Sequence, residues 1–189
     1  MVVLAIIGVV TSIVFSNQGS FNKTIILANT AYDVALSLRS AESYGVGGRA
    51  IGAITNAGYG MHFQNSSPES FVLFADIYPG SLCAGAKPDC KIGDHVYTSG
   101  SDQFIQTYTL GNGITVSNLC AYSGNNTSCS SVSSLDIVFT RPNPDAFITA
   151  DGTSYVGGAC LTLTSPQGGF RYVMVTSSGQ IIATVTPCL

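Results

Sequence analysis

The chain has 189 residues, of which 9% are charged and 46% are hydrophobic, and its net charge is -3. Average soluble proteins have about 25% charged residues, so Ser, Thr, Asn, Gln and backbone groups must supply most of this protein's polar surface. Nucleic acids are bound through clustered Lys and Arg, and seven basic residues against ten acidic ones argue against a nucleic-acid partner.

The first predicted element is the apolar segment MVVLAIIGVVTSIVF, which we assign with the next residue to a half-helix over residues 1–16. A membrane-spanning helix needs about 20 apolar residues, so this segment is short for that role. A signal peptide begins with basic residues and ends at a small-residue cleavage site, and the segment has neither. We therefore expect it to protrude from the domain and to need lipid or other helices around it.

The second predicted element is an amphipathic helix over residues 17–46, which ends near Tyr44 because GVGG follows. Its apolar positions recur at intervals of four and three residues, which puts them on one stripe of a helix. We predict that this stripe packs on a sheet. Its members are Leu27, Ala31, Val34, Leu38 and Ala41.

Residues 47–189 are predicted to form a β-rich domain with disulfides. Short runs such as YGMHF, SFVLFAD and FRYVMVTS are typical of strands, and NSSPES, RPNPD and SPQGG between such runs are typical of turns. The resulting prediction is an α+β fold. In it a long N-terminal helix, apolar in its first half and amphipathic in its second, packs on a C-terminal antiparallel sheet or sandwich.

The six cysteines all lie in this β-rich part, and an even number indicates disulfides formed in an oxidising compartment. Sequence alone leaves their pairing open, and no neighbouring pair has the spacing of a zinc knuckle. We favour pairing in chain order because CAGAKPDC and CAYSGNNTSC have the composition of turns. The predicted bonds are Cys83–Cys90, Cys120–Cys129 and Cys160–Cys188.

Catalytic and metal-binding patterns are weak, so we predict no enzyme activity, no cofactor and no metal. His62 falls in a predicted strand, where a structural role is favoured, and no serine lies in a G-x-S-x-G motif. Calcium prefers carboxylate oxygens, but the aspartates near residues 75–102 lack D-x-D-x-D spacing. We interpret them as solvated loop charges: Asp76, Asp89, Asp94 and Asp102.

The segment VVLAIIGVVTSIVF resembles the interior of the N-terminal helix of type IV pilins and type II secretion pseudopilins. AYDVALSLRSAESYGV, LDIVFTRPNPDAFI and VTSSGQI resemble the GspH/FimT branch of minor pseudopilins. The family's processing glycine, the phenylalanine after it and a conserved glutamate are missing. We attribute this to a late start codon or a trimmed chain rather than to a variant that bypasses the prepilin peptidase.

The resemblance implies a minor pilin or pseudopilin, a structural or assembly subunit of a type IV pilus or type II secretion pseudopilus. It implies a single-pass helix in bacterial inner-membrane lipid that later contacts other subunits in a filament, with the globular domain in the periplasm or outside the cell. Secreted cargo or a surface ligand are further candidate partners. The implied membrane and filament contacts are Val2, Val3, Leu4, Ile6, Ile7, Val9, Val10, Ile13 and Val14.

Other interpretations remain open at this point. The alternative is a disulfide-bonded extracellular adhesin or binding domain, in which residues 1–15 are a remnant signal. A third is an extracellular enzyme, which would need a cleft holding His62 or His95 beside an acid. DNA binding through C-terminal arginines, an activity of FimT-type proteins, is not expected because no Arg or Lys follows Arg171.

Overall fold

The computed structural model describes residues 2–52, 54–78, 93–124 and 128–188, with side chains at all of these except 13–22. One helix precedes a series of short strands in this part of the chain. The elements are α1 (Val2–Val46), β1 (Gly58–Gln64), β2 (Ser70–Asp76), β3 (Gln103–Thr109), β4 (Thr115–Tyr122), β5 (Ser130–Val132), β6 (Ser134–Phe139), β7 (Ala146–Ala150), β8 (Thr153–Tyr155), β9 (Gly158–Thr164), β10 (Phe170–Thr176) and β11 (Ile181–Thr184).

The strands form two antiparallel sheets. The six-stranded sheet has the order β3-β2-β1-β6-β7-β8, and the five-stranded sheet has the order β11-β10-β9-β4-β5. Successive side chains of a strand point to opposite faces, and the inward-facing residues of both sheets meet in one core with a stripe of α1. The other face of the six-stranded sheet, which we call its outer face, carries His62 of β1, Asp76 of β2 and Asp136 of β6.

The predicted α+β fold class is wrong, because the protein is mainly β. In the described part of the chain, the strands of two antiparallel sheets hold more residues than the helix, and α1 does not pack along them over its length. Among the side chains that the structure describes, the first buried one in α1 is that of Leu27, whereas those of residues 2–12 are exposed, as expected of a protruding segment. Periodicity predicts where a helix begins and ends, but the way strands divide between sheets depends on contacts distant in sequence.

The C-terminus of α1 is at Val46, two residues after Tyr44. The amide of Arg49 donates to the carbonyl of Tyr44 at 3.1 Å, and the amide of Gly48 donates to the carbonyl of Gly45 at 3.2 Å. These two bonds form a Schellman cap, in which the residue after the helix takes a left-handed conformation. Gly48 supplies it with φ of 61°, so GVGG terminates the helix as its composition indicates.

Gly45 lies inside the last turn of α1 and lets the helix approach β6 closely. A Cβ at this position would lie 2.1 Å from the carbonyl oxygen of Phe139, whereas a Cβ at Gly8 would meet nothing within 4 Å. The absence of a side chain at Gly45 therefore sets the distance between helix and sheet.

Gly45→Ala is expected to lower the free energy of unfolding by about 2 kcal/mol, because the helix or β6 must shift to accommodate the methyl group. The matched control is Gly8→Ala, which should leave stability unchanged or raise it slightly, since alanine is the better helix former by about 1 kcal/mol. Urea unfolding followed by circular dichroism measures both variants. Equal free energies of unfolding for the two variants would contradict the close approach of α1 to β6 at Gly45.

Two of the predicted disulfides are confirmed. Cys120 bonds to Cys129 with Cα atoms 5.5 Å apart, and Cys160 bonds to Cys188 with Cα atoms 6.1 Å apart. The predicted pair Cys83–Cys90 lies outside the described residues. Since Cys120 and Cys160 are opposite each other on β4 and β9, both bonds start from neighbouring positions in the five-stranded sheet.

Candidate functional site

The first candidate site is the exposed apolar end of α1. Its large side chains keep between 54 and 73% of their surface exposed, and this stretch carries no charge. The hydroxyls of Thr11 and Ser12 donate to the carbonyls of Ile7 and Gly8 within the helix, so the polar groups need no outside partner. Of the residues expected to contact the membrane or the filament, seven are exposed here: Val2, Val3, Leu4, Ile6, Ile7, Val9 and Val10. The side chains of the other two, Ile13 and Val14, lie outside the described set.

No helix in the described part of the chain has an apolar stretch long enough to cross a membrane.

The other end of α1 is fixed in the core. Leu27, Ala31, Val34, Leu38 and Ala41 are all at most 2% exposed and belong to the main hydrophobic cluster. They share one helix face because they recur at helical spacing. One helix therefore carries both a buried stripe that begins at Leu27, which we call the anchor, and an exposed apolar segment, residues 2–10, which we call the arm.

A groove runs beside the anchored end, between α1 and the edge strand β11. Its volume is about 690 Å³. Tyr32 and Leu36 on the helix are 64 and 62% exposed along it, and Ile182 on the strand is 39% exposed. The guanidinium of Arg39 donates to the carbonyl of Ile181 at 3.2 Å, so the helix also binds the open edge of the sheet.

The second candidate site lies on the outer face of the six-stranded sheet. The segment 93–102, which we call the strap, lies across this face and ends where β3 begins. Its backbone amides donate to three aspartates that are between 0 and 7% exposed: Asp76, Asp102 and Asp136. Buried carboxylates are rare unless they accept hydrogen bonds. These amide-to-carboxylate bonds therefore fix the position of the strap on the sheet.

Asp76, the last residue of β2, holds the start of the strap. Its Oδ1 accepts the amide of Asp94 at 3.2 Å, and its Oδ2 accepts the amide of His95 at 2.8 Å. Burial raises the pKa of Asp76 to about 7, and the nearby charges of Asp102 and Asp94 act in the same direction. The two amide bonds oppose this rise because they favour the carboxylate.

Asp136 on β6 holds the middle of the strap. Its Oδ1 accepts the amide of Tyr97 at 3.2 Å and lies 2.7 Å from Nδ1 of His62 on the neighbouring strand. The Tyr97 ring packs against His62 and Phe74, with its centroid 5.1 Å from that of His62 and 5.0 Å from that of Phe74. His62, predicted to be structural, thus orients the carboxylate that binds the strap.

Asp102 closes the strap on itself and on the chain after β2. Its Oδ2 accepts the amide of Thr98 at 2.7 Å, and its Oδ1 accepts the amides of Ile77 and Tyr78 at 3.0 and 2.9 Å. One carboxylate with three amide donors joins two segments that are distant in sequence. The interpretation of Asp76 and Asp102 as solvated loop charges is therefore wrong, because both are buried and bind backbone amides.

His95 joins the strap to a second groove. Its ring stacks on Phe147 of β7 with centroids 3.9 Å apart, and its backbone has φ of 64°. Both side chains line a groove of about 460 Å³ that also contains Asp145 and Tyr155. This arrangement puts a histidine in a cleft near an acid, so the prediction that the chain is not an enzyme stays a prediction.

Metal binding finds no support in the part of the chain that the structure describes, where no three His, Cys, Asp or Glu side chains converge. Asp94 contacts the backbone amide of Val96, two residues away, at 3.1 Å. Asp89, the fourth aspartate of the predicted loop, lies outside the described residues.

No protein-family model, curated protein or solved structure matches the chain. The resemblance to pilins and pseudopilins therefore stays a prediction from the sequence.

Sequence reasoning identified three aspartates of this site, Asp76, Asp94 and Asp102, but not their role. One available signal was Asp136, a charged residue in the otherwise apolar strand run LDIVF. Charged residues are almost never fully buried without a partner, so a carboxylate there indicates a donor packed on that face. The identity of the donor, the amide of Tyr97 from a segment 39 residues away, depends on tertiary structure.

Proposed function

We propose that this chain is a minor pilin or pseudopilin, a structural or assembly subunit that joins a type IV pilus or type II secretion pseudopilus through its N-terminal helix. One observation carries the proposal: α1 continues from an anchor in the core into an uncharged apolar arm, residues 2–10, whose large side chains are exposed. Large exposed apolar surfaces mark interaction sites.

The arm suits packing against other helices. Between helices in an apolar surrounding, association depends on van der Waals packing and on small residues that allow close approach. The arm has Val, Ile and Leu for packing and Ala5 and Gly8 for approach. Because the anchor fixes the other end of the same helix, a neighbour bound to the arm is coupled to the globular domain.

The cellular setting is part of the proposal and is supported by the resemblance and by the disulfides. The arm would lie in inner-membrane lipid before assembly and among the helices of other subunits afterwards. The β domain would lie in the periplasm or outside the cell, where oxidising conditions suit its disulfides. Its outer surfaces would be open to cargo or to a surface ligand.

The test is an aspartate substitution in the arm. Placing one charge in an apolar interface costs about 2.5 kcal/mol or more, so Ile6→Asp should reduce the amount of the chain in sheared filaments roughly a hundredfold. The matched control is Val156→Asp, since Val156 is 72% exposed but lies outside the helix. Immunoblots of filament and cell fractions measure both variants. Normal incorporation of Ile6→Asp, or equal losses for both, would contradict the proposal.

The adhesin alternative has one observation in its favour, the groove beside His95 and Phe147. Pockets of roughly 300–1,000 Å³ with a few polar groups are typical of ligand sites. This alternative requires the arm to be removed, whereas the subunit proposal requires its retention. The intact mass of the protein extracted from cells decides: a mature chain that starts after residue 16 rules out the subunit proposal.

A further inference from the structure

The strap is bound to the sheet through a carboxyl group that is poorly placed to carry charge. Asp76 has no exposed surface, and the charged groups that face it among the described residues are the carboxylates of Asp102 and Asp94. No hydrogen bond or ion pair from Lys or Arg to Asp76 is present in the described structure, and its strap donors are the neutral amides of Asp94 and His95.

The strap also packs tightly against this carboxyl group. A Cβ at Gly93 would lie 2.2 Å from the carboxyl carbon of Asp76, and Gly93 has φ of 98°, which favours glycine. The carboxyl group is therefore enclosed by strap backbone on one side and by the sheet on the other. When the strap lifts, Asp76 gains water, and the acids Asp94 and Asp102 can separate from it.

We propose that the strap is a proton-controlled clasp, which docks on the sheet when Asp76 is protonated and opens more readily when Asp76 is ionised. Opening would move Tyr97 away from Phe74 and His62 and would separate His95 from Phe147, which uncovers aromatic surface on the outer face of the sheet. This device is independent of the apolar arm and of the proposed assembly role.

The direction of the effect follows from linkage. With the strap docked, the pKa of Asp76 is about 7, and with the strap open the solvated carboxyl group returns towards its ordinary value of 3.8. Docking therefore takes up a proton, and stability of the docked state is greatest at low pH and is lost as pH rises through about 7. The opening equilibrium should increase about tenfold per pH unit between about pH 5 and 6.5 and level off above about pH 8.

Hydrogen exchange at the amides of Asp94 and His95, corrected for intrinsic exchange rates, measures this opening. The wild-type chain should show the rise with pH, and Asp76→Asn should show a flat profile because an amide side chain does not ionise. The matched control is Asp151→Asn. Asp151 also accepts two backbone amides, from Ser133 and Ser134, but it is exposed and those bonds lower its pKa, so this variant should keep the wild-type profile.

A second control separates the effect of His62, because histidines also titrate near neutral pH. His62→Asn keeps a donor near the position of Nδ1 facing Asp136 and should retain the rise with pH. A rise that disappears in His62→Asn but persists in Asp76→Asn would overturn the proposal.

Two further outcomes would also overturn the clasp. One is exchange of the Asp94 and His95 amides only through global unfolding at every pH. The other is a carboxyl ¹³C titration of Asp76 in the wild-type chain with its midpoint in the ordinary aspartate range, a measurement that needs no folded variant.

Discussion

Leu38→Ala is expected to lower the free energy of unfolding by about 3 kcal/mol. Leu38 has no exposed surface and lies in the stripe that anchors α1 to the core. Removing a buried leucine loses its transfer free energy and leaves a cavity, which together cost about 2–5 kcal/mol. The same helix carries the apolar arm, so this substitution weakens the connection between arm and domain without altering the arm.

The matched control for Leu38 is two residues away on the same helix. Leu36 is 62% exposed, so Leu36→Ala should change stability by less than about 0.5 kcal/mol. Urea unfolding curves of the wild-type chain and the two variants measure the difference. If Leu36→Ala lowered the free energy of unfolding as much as Leu38→Ala, α1 would not pack on the core through the face that contains Leu38.

Removing the disulfide between Cys160 and Cys188 with alanines at both positions should cost about 3 kcal/mol of unfolding free energy. A disulfide limits the entropy of the unfolded chain, and the effect grows with the length of the closed loop. This bond joins residues 28 apart, whereas Cys120–Cys129 joins residues 9 apart. It also ties the C-terminal segment to the central strand β9.

The shorter disulfide provides the comparison. Its double alanine variant should lose roughly 1 kcal/mol less, because both bonds start from a buried cysteine and differ chiefly in loop length. Chemical unfolding without reductant measures both variants. A larger loss for the Cys120–Cys129 variant would contradict the loop-length argument and would indicate a specific packing role for that hairpin.

Local patterns were sufficient for the long elements of the fold. The stripe that begins at Leu27 follows from 3.6-residue periodicity, and strands such as β2 and β10 follow from alternation and β-branched content. β5 and β8 could not be predicted in this way, because each has three residues and no apolar period, SSV and TSY. Their strand conformation depends on pairing with β4 and β7.

The strap shows a different limit of sequence reasoning. The acidic character of residues 76–102 was visible, and aspartates in a loop are usually solvated. Asp76 is buried because β2 ends at a place that the strap covers, and the donors come from residues 18 and 19 positions later. No periodicity records that contact, so local composition favoured the wrong environment.

The length of α1 has a geometric consequence for any assembly. The helix backbone is continuous from Val2 to Val46, and an α-helix rises 1.5 Å per residue. Ile6 within the arm and Leu27, the first residue of the anchor, are therefore separated by roughly 30 Å along the axis. That distance is about the diameter of a small domain, so in the proposed assembly a neighbour bound to the arm would lie about one domain diameter from the anchor.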